Sequence, residues 1–412
     1  MSIKPEERSV LRELASEVAE IAQLPVHEET RRLWKLTNGL EQERPMVAID
    51  QIPWHEINVN DELTVGNSSE LARLLEWTLR VILYRWRHMR ADMVVEPFID
   101  VPKVIENSGF GMRADEELAS YDPKNPVKGR RYFDQLHAGE DLEKIKTPVV
   151  RVDLKATQER ERIAKEIFQG MLGVRMVGMS AGFALWDRIV EWHGVENSIL
   201  DLVDRPDFVH RLMRRFTDAT MSMLDQLEEQ GLISCNMPTI HCSGAYTDEL
   251  PGDGFDPDHP RARDTWTSGM AQIFSTVSPA MHNEFEIEYA IPWYDRFGLG
   301  YYGCCEPLHD KIDIIDRLPR VRKISISPWA DVRKAAERMQ GRYVMSRKPS
   351  PAFLATETWE PEAVRRDLQD TYDTAREAGC AVEFILKDIS TVKYEPQRLW
   401  EWGDVARSVV AG

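Results

Sequence analysis

Two thiols, a carboxylate and an imidazole fall within six positions of this 412-residue chain, in Cys304-Cys305-Glu306-Pro307-Leu308-His309. They follow a short apolar run, Leu299 to Gly303, which Pro307 prevents from continuing. That pattern predicts the carboxyl end of a β-strand, where α/β proteins place their chemistry. Thiolate, imidazole and carboxylate together make a zinc ligand set. With no second CxxC pair, the set predicts an open site with one exchangeable position, not a closed structural one. Plain burial is the competing reading, because free cysteine is among the most buried residue types. Adjacent Cys304 and Cys305 are poorly placed to bridge each other.

Other chemistry-bearing residues fall at predicted strand ends. They are Asp50, Gln51 and His55; Glu96; Met179 and Ser180; His241, Cys242 and Ser243; Ser325 and Ser327; Ser346, Arg347 and Lys348; and Lys387 and Asp388. The expected metal ligands are Cys305 and Cys304, with His241 and Glu306. His241 ends the strand before that of Cys305, though a core histidine bonded to backbone would look the same. On a period-two strand Cys242 points the opposite way and reads as structural. Glu96 and Asp50 are expected to act catalytically with His241, orienting substrate or water; for Glu96 a buried salt bridge is the alternative. Tyr301, Tyr302 and Trp329, with Trp54, could form an aromatic slot for a cofactor, against a default of core packing. Lys387 and Asp388 could simply pair with each other.

The elements that would position these residues read as an alternation of strands and helices. Residues 1–42 carry helical spacing (Val10, Leu11, Leu14, Val18, Ile21) and form a helical N-terminal extension. Strands are expected at 44–53, 93–99, 173–179, 236–242, 299–303, 321–327, 342–345 and 381–386, within a domain spanning 43–412. Helices are expected from the Ser68-Ser69 cap to Met89, at 155–171, from Pro206 to about Gln230, at 265–277, at 284–297 with Pro292 forcing a kink, from Asp331, at 361–378 and from Pro396. Residues 100–150 break this rhythm with Gly, Pro and charge (Gly109, Gly111, Asp122-Pro123-Lys124-Asn125-Pro126) and read as an insertion or lid. Eight strands each followed by a helix predict an α/β (β/α)8 TIM barrel.

Composition narrows the function. The formal net charge of −17 repels a phosphate backbone, so no nucleic-acid partner is expected. No apolar run approaches the roughly 20 residues of a membrane span, and no signal peptide is visible, so a cytoplasmic protein with no membrane association is expected. Five cysteines in a large chain argue against a disulfide framework. No glycine-rich phosphate loop is present, which disfavours ATP and nicotinamide.

The order of motifs resembles the uroporphyrinogen decarboxylase-like superfamily, in its corrinoid-dependent methyltransferase (O-demethylase) branch. The residues that carry the resemblance are Arg44-Pro45-Met46, His241-Cys242-Ser243-Gly244-Ala245 with Leu250-Pro251, Gly303-Cys304-Cys305-Glu306-Pro307, Ser325-Ile326-Ser327-Pro328-Trp329 and Phe384-Ile385-Leu386. The resemblance implies transfer of a methyl group from a methoxylated (aryl methyl ether) substrate to the cobalt of a corrinoid (cobalamin) carried by a partner protein. It also implies zinc or a proton donor at the leaving oxygen; a homodimer is admitted. A zinc-dependent methylcobalamin:thiol methyltransferase and a decarboxylase-like lyase are the alternatives. Two departures stand out. The loop Asp50-Gln51-Ile52-Pro53-Trp54 lacks the arginines with which the decarboxylases grip carboxylates. Gly303 occupies the position of the metal-binding histidine in the methyltransferases, and no cysteine follows Leu386.

Overall fold

The computed structural model describes residues 3–58, 60–120, 123, 125 and 128–411. Seven parallel strands form the main sheet. In chain order they are β1 (Met46–Ile49), β4 (Gly182–Phe183), β5 (Trp266–Gly269), β6 (Leu299–Tyr302), β7 (Val321–Ile326), β8 (Val344–Arg347) and β9 (Val382–Leu386). Their spatial order is β1-β9-β8-β7-β6-β5-β4. Two further strands, β2 (Phe98–Pro102) and β3 (Gly173–Val177), form a separate parallel pair. Among the described residues no ladder joins β1 to β2, so the hydrogen bonding does not close into a ring.

Sequence alternation decides which residues face the helices. Val382, Phe384 and Leu386 of β9 pack into the apolar cores beneath the helices, as do Val47 and Ile49 of β1 and Ile324 and Ile326 of β7. The intervening Glu383 and Lys387, Lys323 and Ser325, and Ser346 and Lys348 are also buried, but on the opposite face. Parallel strands are covered on both faces. Here the second cover is polar.

That cover is largely a short hairpin. The strand expected at 236–242 does not join the main sheet: Thr239–Ile240 pairs antiparallel with Ser243–Gly244, and His241-Cys242 is the turn between them. Ser243 Oγ lies 2.9 Å from Glu383 Oε2 and 2.5 Å from Lys323 Nζ, which donates to it, and Lys323 also donates to Glu383 at 2.8 Å. From the other side Asn38 Nδ2 donates to the carbonyls of Gly244 and Tyr246, and Trp34 lies against Gly244. Both residues belong to the Val26–Asn38 helix, so the N-terminal extension forms part of the support beneath the hairpin.

The strand that the hairpin was expected to provide is β5, within a segment whose sequence reads as a helix (265–277). Trp266–Gly269 pairs in parallel with both β6 and β4, and only Gln272–Thr276 after it is helical, as a 3-10 turn. Thr and Trp favour a pleated, buried surface, and tertiary pairing overrides a weak helical period. The strand expected at 93–99 forms later, at Phe98–Pro102. Pro292 sits inside helix Glu288–Tyr294, which a π turn at Asn283–Ile287 precedes. The insertion is structured: Ile105–Asn107 pairs with Val150–Val152, and Glu116–Ala119 with Gly129–Tyr132. Asp122, Lys124 and Pro126 within it lie outside the described residues.

Candidate functional site

The residues after β6 and β9 meet at the carboxyl ends of the strands. Lys387 Nζ lies 2.9 Å from Cys304 Sγ, the Cys304 and Cys305 sulfurs are 3.5 Å apart, and Cys305 Sγ is 3.3 Å from Asp388 Oδ2. Lys387 is buried and Asp388 is half-exposed, 3.4 Å from the ammonium. This is a charge chain of carboxylate, ammonium and thiolate. Its thiolate end is Cys304: the Cys305 hydrogen bond, then His241 and the Lys387 charge, hold its thiol well below the usual value against the opposing effect of burial. Cys305 is pushed upward by its hydrogen bond to Cys304 and by burial. Burial alone would lower Lys387, but the Cys304 charge and Asp388 raise it, so it stays an ammonium.

The backbone explains why glycine precedes the thiols. Gly303 has φ +93, and a Cβ there would lie 2.3 Å from Leu308 Cδ1. A histidine here would be strained by that backbone and would have to displace Leu308. The imidazole arrives instead from the hairpin. His241 lies against the Tyr301 ring, centroid to centroid 4.9 Å and tilted by 43°, and its buried Nε2 has no hydrogen-bond partner among the described residues. Burial lowers its pKa below 6.5 against the pull of Cys304, which favours a neutral ring. His241 (φ 44) and Cys242 (φ 68) are both left-handed, as the two central residues of a type I′ turn must be. Such turns usually carry Asn-Gly. A histidine and a cysteine there store strain of the kind found at functional sites. The expectation that Cys242 opposes His241 across a strand fails because both lie in the turn. Cys242 packs beside Trp34, Met46 and Ile385, and burial pushes its thiol up to about 12.

The remaining candidates separate. Glu306 is fully buried, but its oxygens accept from the amides of Ala271 and Cys304, which fixes the loop and turns the carboxylate away from the sulfurs. Glu96 takes Arg31 and the Tyr246 hydroxyl (2.7 Å), and Asp50 caps the Gln51 amide. Tyr301, Tyr302 and Trp329 are not brought together. Tyr301 bonds Ser346 and Lys348, Tyr302 faces the helices and His282, and Trp329 is 77% exposed at the rim. Trp54 packs against Trp77 and Tyr84 on the helical side of β1. Sequence reasoning missed Lys323 and Glu383 and undervalued Lys387. A charge in the middle of an apolar strand, as in Val382-Glu383-Phe384, was the signal.

The donor types suit zinc, but their arrangement does not. Among the described residues no three His, Cys, Asp or Glu side chains converge as a metal site requires, and Lys387 already engages Cys304 Sγ. A cavity of about 540 Å³ runs between the hairpin and strands β3 to β5, lined by His241, Ser180, Ser268, Tyr246, Glu96 and Arg175; His241 is the member of the cluster that borders it. It can hold a small organic molecule against His241.

No protein-family model and no curated protein sequence matches the chain. Among solved structures 23 chains match. One is a methyltransferase from Methanosarcina mazei, superposing with a TM-score of 0.50 at 13% identity over 93% of this chain and 98% of that one. At that identity the likeness is one of fold. No helix among the described residues is long and apolar enough to cross a membrane.

Proposed function

We propose that the chain is a methyltransferase that moves a methyl group from a methoxylated small molecule, an aryl methyl ether, to the cobalt of a corrinoid held by a partner protein. In this reading β2 and β3 complete a (β/α)8 frame with the main sheet, β3 and the two-residue β4 that follows it with no helix between counting as one strand, and the chemistry occupies its carboxyl rim. The observation that carries the proposal is the cluster at that rim, where Lys387, Cys304, Cys305 and Asp388 are linked in one chain of contacts beside the His241 imidazole. The likeness in fold to the archaeal methyltransferase supports the same reading.

Breaking a methyl–oxygen bond leaves an anionic oxygen, and preorganised donors aimed at that oxygen lower the barrier. Lys387, a buried ammonium, is the donor for it. Neutral His241, which lines the cavity, orients the ether. Cys304, as thiolate, keeps Lys387 charged and positioned before substrate arrives. A reduced corrinoid supplies a strongly nucleophilic acceptor for the methyl group, and the half-exposed Asp388 and exposed Trp329 leave its approach open. No step is assigned to zinc.

The test uses purified protein, cob(I)alamin as acceptor and a panel of methoxyarenes, methylamines and methyl thioethers, following the absorption change of cobalt methylation. Methoxyarenes are expected to react, and Lys387→Met to slow the reaction about a hundredfold or more, the scale of a lost general acid. Absence of methyl transfer from every donor would refute the activity. Full activity in Lys387→Met together with Cys304→Ser would refute the site.

A further inference from the structure

We infer that the chain has a second binding site, for a small apolar monocarboxylate of about benzoate size, in the gap between β1 and β2. A cavity of about 240 Å³ occupies this gap, walled on one side by helix Glu70–His88 and on the other by the hairpin, at Cys242 and Gly244. At about 30 Å³ per water, this is space for roughly eight waters, or one small ring with a polar group. Its walls are largely apolar, with Trp34, Val81, Ile82, Met93, Val95 and Ile99 facing the space. The two strands bordering it share no hydrogen bonds, so the cavity follows from where the ladder is interrupted.

One buried cation in this lining lacks a carboxylate in contact with it. Arg85 donates from Nη2 to the Ile49 carbonyl at 2.6 Å, while its buried Nε has no partner. Among the described residues it forms no ion pair. Every other charge on the lining except Asp50 is committed elsewhere. Asp92 is held bidentate by Arg44, Glu96 by Arg31 and Tyr246, and Asp100 by Arg175, while Arg90 lies over the Trp86 ring. Asp50 uses one oxygen on the Gln51 amide and is the nearest opposing charge. A guanidinium carries five N–H donors in a planar fork that matches a carboxylate. Leaving the buried Nε donor dry beside an apolar hollow costs free energy, which a bound carboxylate recovers. The apolar walls select for a hydrocarbon body behind that group.

Glu96 and Tyr246 line both this cavity and the larger one beside His241, so the two hollows flank one hairpin. The inference does not require the proposed methyl transfer, and its test measures binding alone. Calorimetric titration of the full chain with benzoate, benzamide and acetate compares three probes that differ in charge and ring. Benzoate is expected to bind about tenfold more tightly than benzamide, which lacks the charge, and than acetate, which lacks the ring. Arg85→Met is expected to remove the preference for benzoate over benzamide, and Val95→Trp, which fills the space, to abolish binding of both. Equal affinity for benzoate and benzamide in the wild type would overturn the inference even if Arg85→Met failed to fold. Retention of benzoate binding by Val95→Trp would place the molecule elsewhere and overturn it as well.

Discussion

Glu306 shows how burial alone can give one side chain an unusual pH dependence. Among the described residues it forms no ion pair, so burial dominates and lifts its pKa from 4.5 to about 7, although the amides of Cys304 and Ala271 oppose the shift. Two neighbours behave alike: burial raises Asp187 to about 6, and Glu286, whose two oxygens have no partner, is raised as well. In the unfolded chain such a carboxyl releases its proton near pH 4.5, whereas the folded chain keeps it until about pH 7. Between those values the native state binds more protons, so stability falls as pH rises, the reverse of a salt-bridged carboxylate. At 1.36 kcal/mol per pKa unit, Glu306 alone accounts for about 3 kcal/mol of that fall. Urea midpoints from pH 4.5 to 7.5 are expected to decline in the wild type, and Glu306→Gln should flatten the decline whatever it does to absolute stability. Parallel curves for the two proteins would contradict this account. The same residue marks a limit of reading the sequence. Cys-Cys-Glu looks like a ligand triplet, yet which way a carboxylate turns depends on amides from a distant loop, and those are invisible in the spacing.

At the scale of elements, the hairpin Thr239–Gly244 organises the site, and its seating is steric. A Cβ on Gly244 would lie 2.4 Å from Trp34 Cδ2, within a ring wedged under the turn and bonded through Nε1 to the Asp92 carbonyl. Gly244→Ala is therefore expected to cost about 1–3 kcal/mol, the range for overpacking a close contact. Most of that cost should disappear on a Trp34→Leu background, as a double-mutant cycle in urea unfolding would show. An additive cycle would mean that the glycine is needed for another reason. His241 and Cys242 were legible as chemistry-bearing residues, but their element was not. An apolar run ending in His-Cys-Ser reads as a strand, and nothing local reveals that the chain reverses there with two left-handed residues. Conversely, Trp266–Gly269 reads as helical because its apolar residues also fit a longer period, and only pairing with β4 and β6 decides it as strand. The strands that were read well, at 299–303, 321–327 and 381–386, are short, mostly apolar runs, the pattern expected where both faces of a parallel strand are buried.

For the whole molecule, the question is whether the N-terminal extension is a separable appendage, as its helical spacing alone suggests. Packing says otherwise. Leu11, Ala15 and Val18 of the first helix are fully buried with Leu71, Leu75 and Leu79 of helix Glu70–His88 and with Ile163 and Ile167, joining parts of the chain far apart in sequence. Glu7 accepts from the backbone amides of Ser68 and Ser69 and from the Ser68 hydroxyl, with its carboxyl lowered to about 2 by these amides and that of Lys4. The second helix supplies Trp34 and Asn38 beneath the hairpin. Deleting residues 1–42 would expose this apolar face, at roughly 25 cal/mol per Å² uncovered, and unseat the hairpin against Lys323 and Glu383. A buried pair that loses its hydrogen-bonded surroundings is costly to keep, because the charges remain desolvated while their partners are gone. The truncated chain is expected to lose cooperative unfolding by circular dichroism and to bind exposed-surface dyes, whereas a true appendage would come off leaving the melting temperature within a few degrees. The outcome bears directly on the site: His241 reaches Cys304 only because a helix at the start of the chain holds up a turn from its middle, against strands from its end.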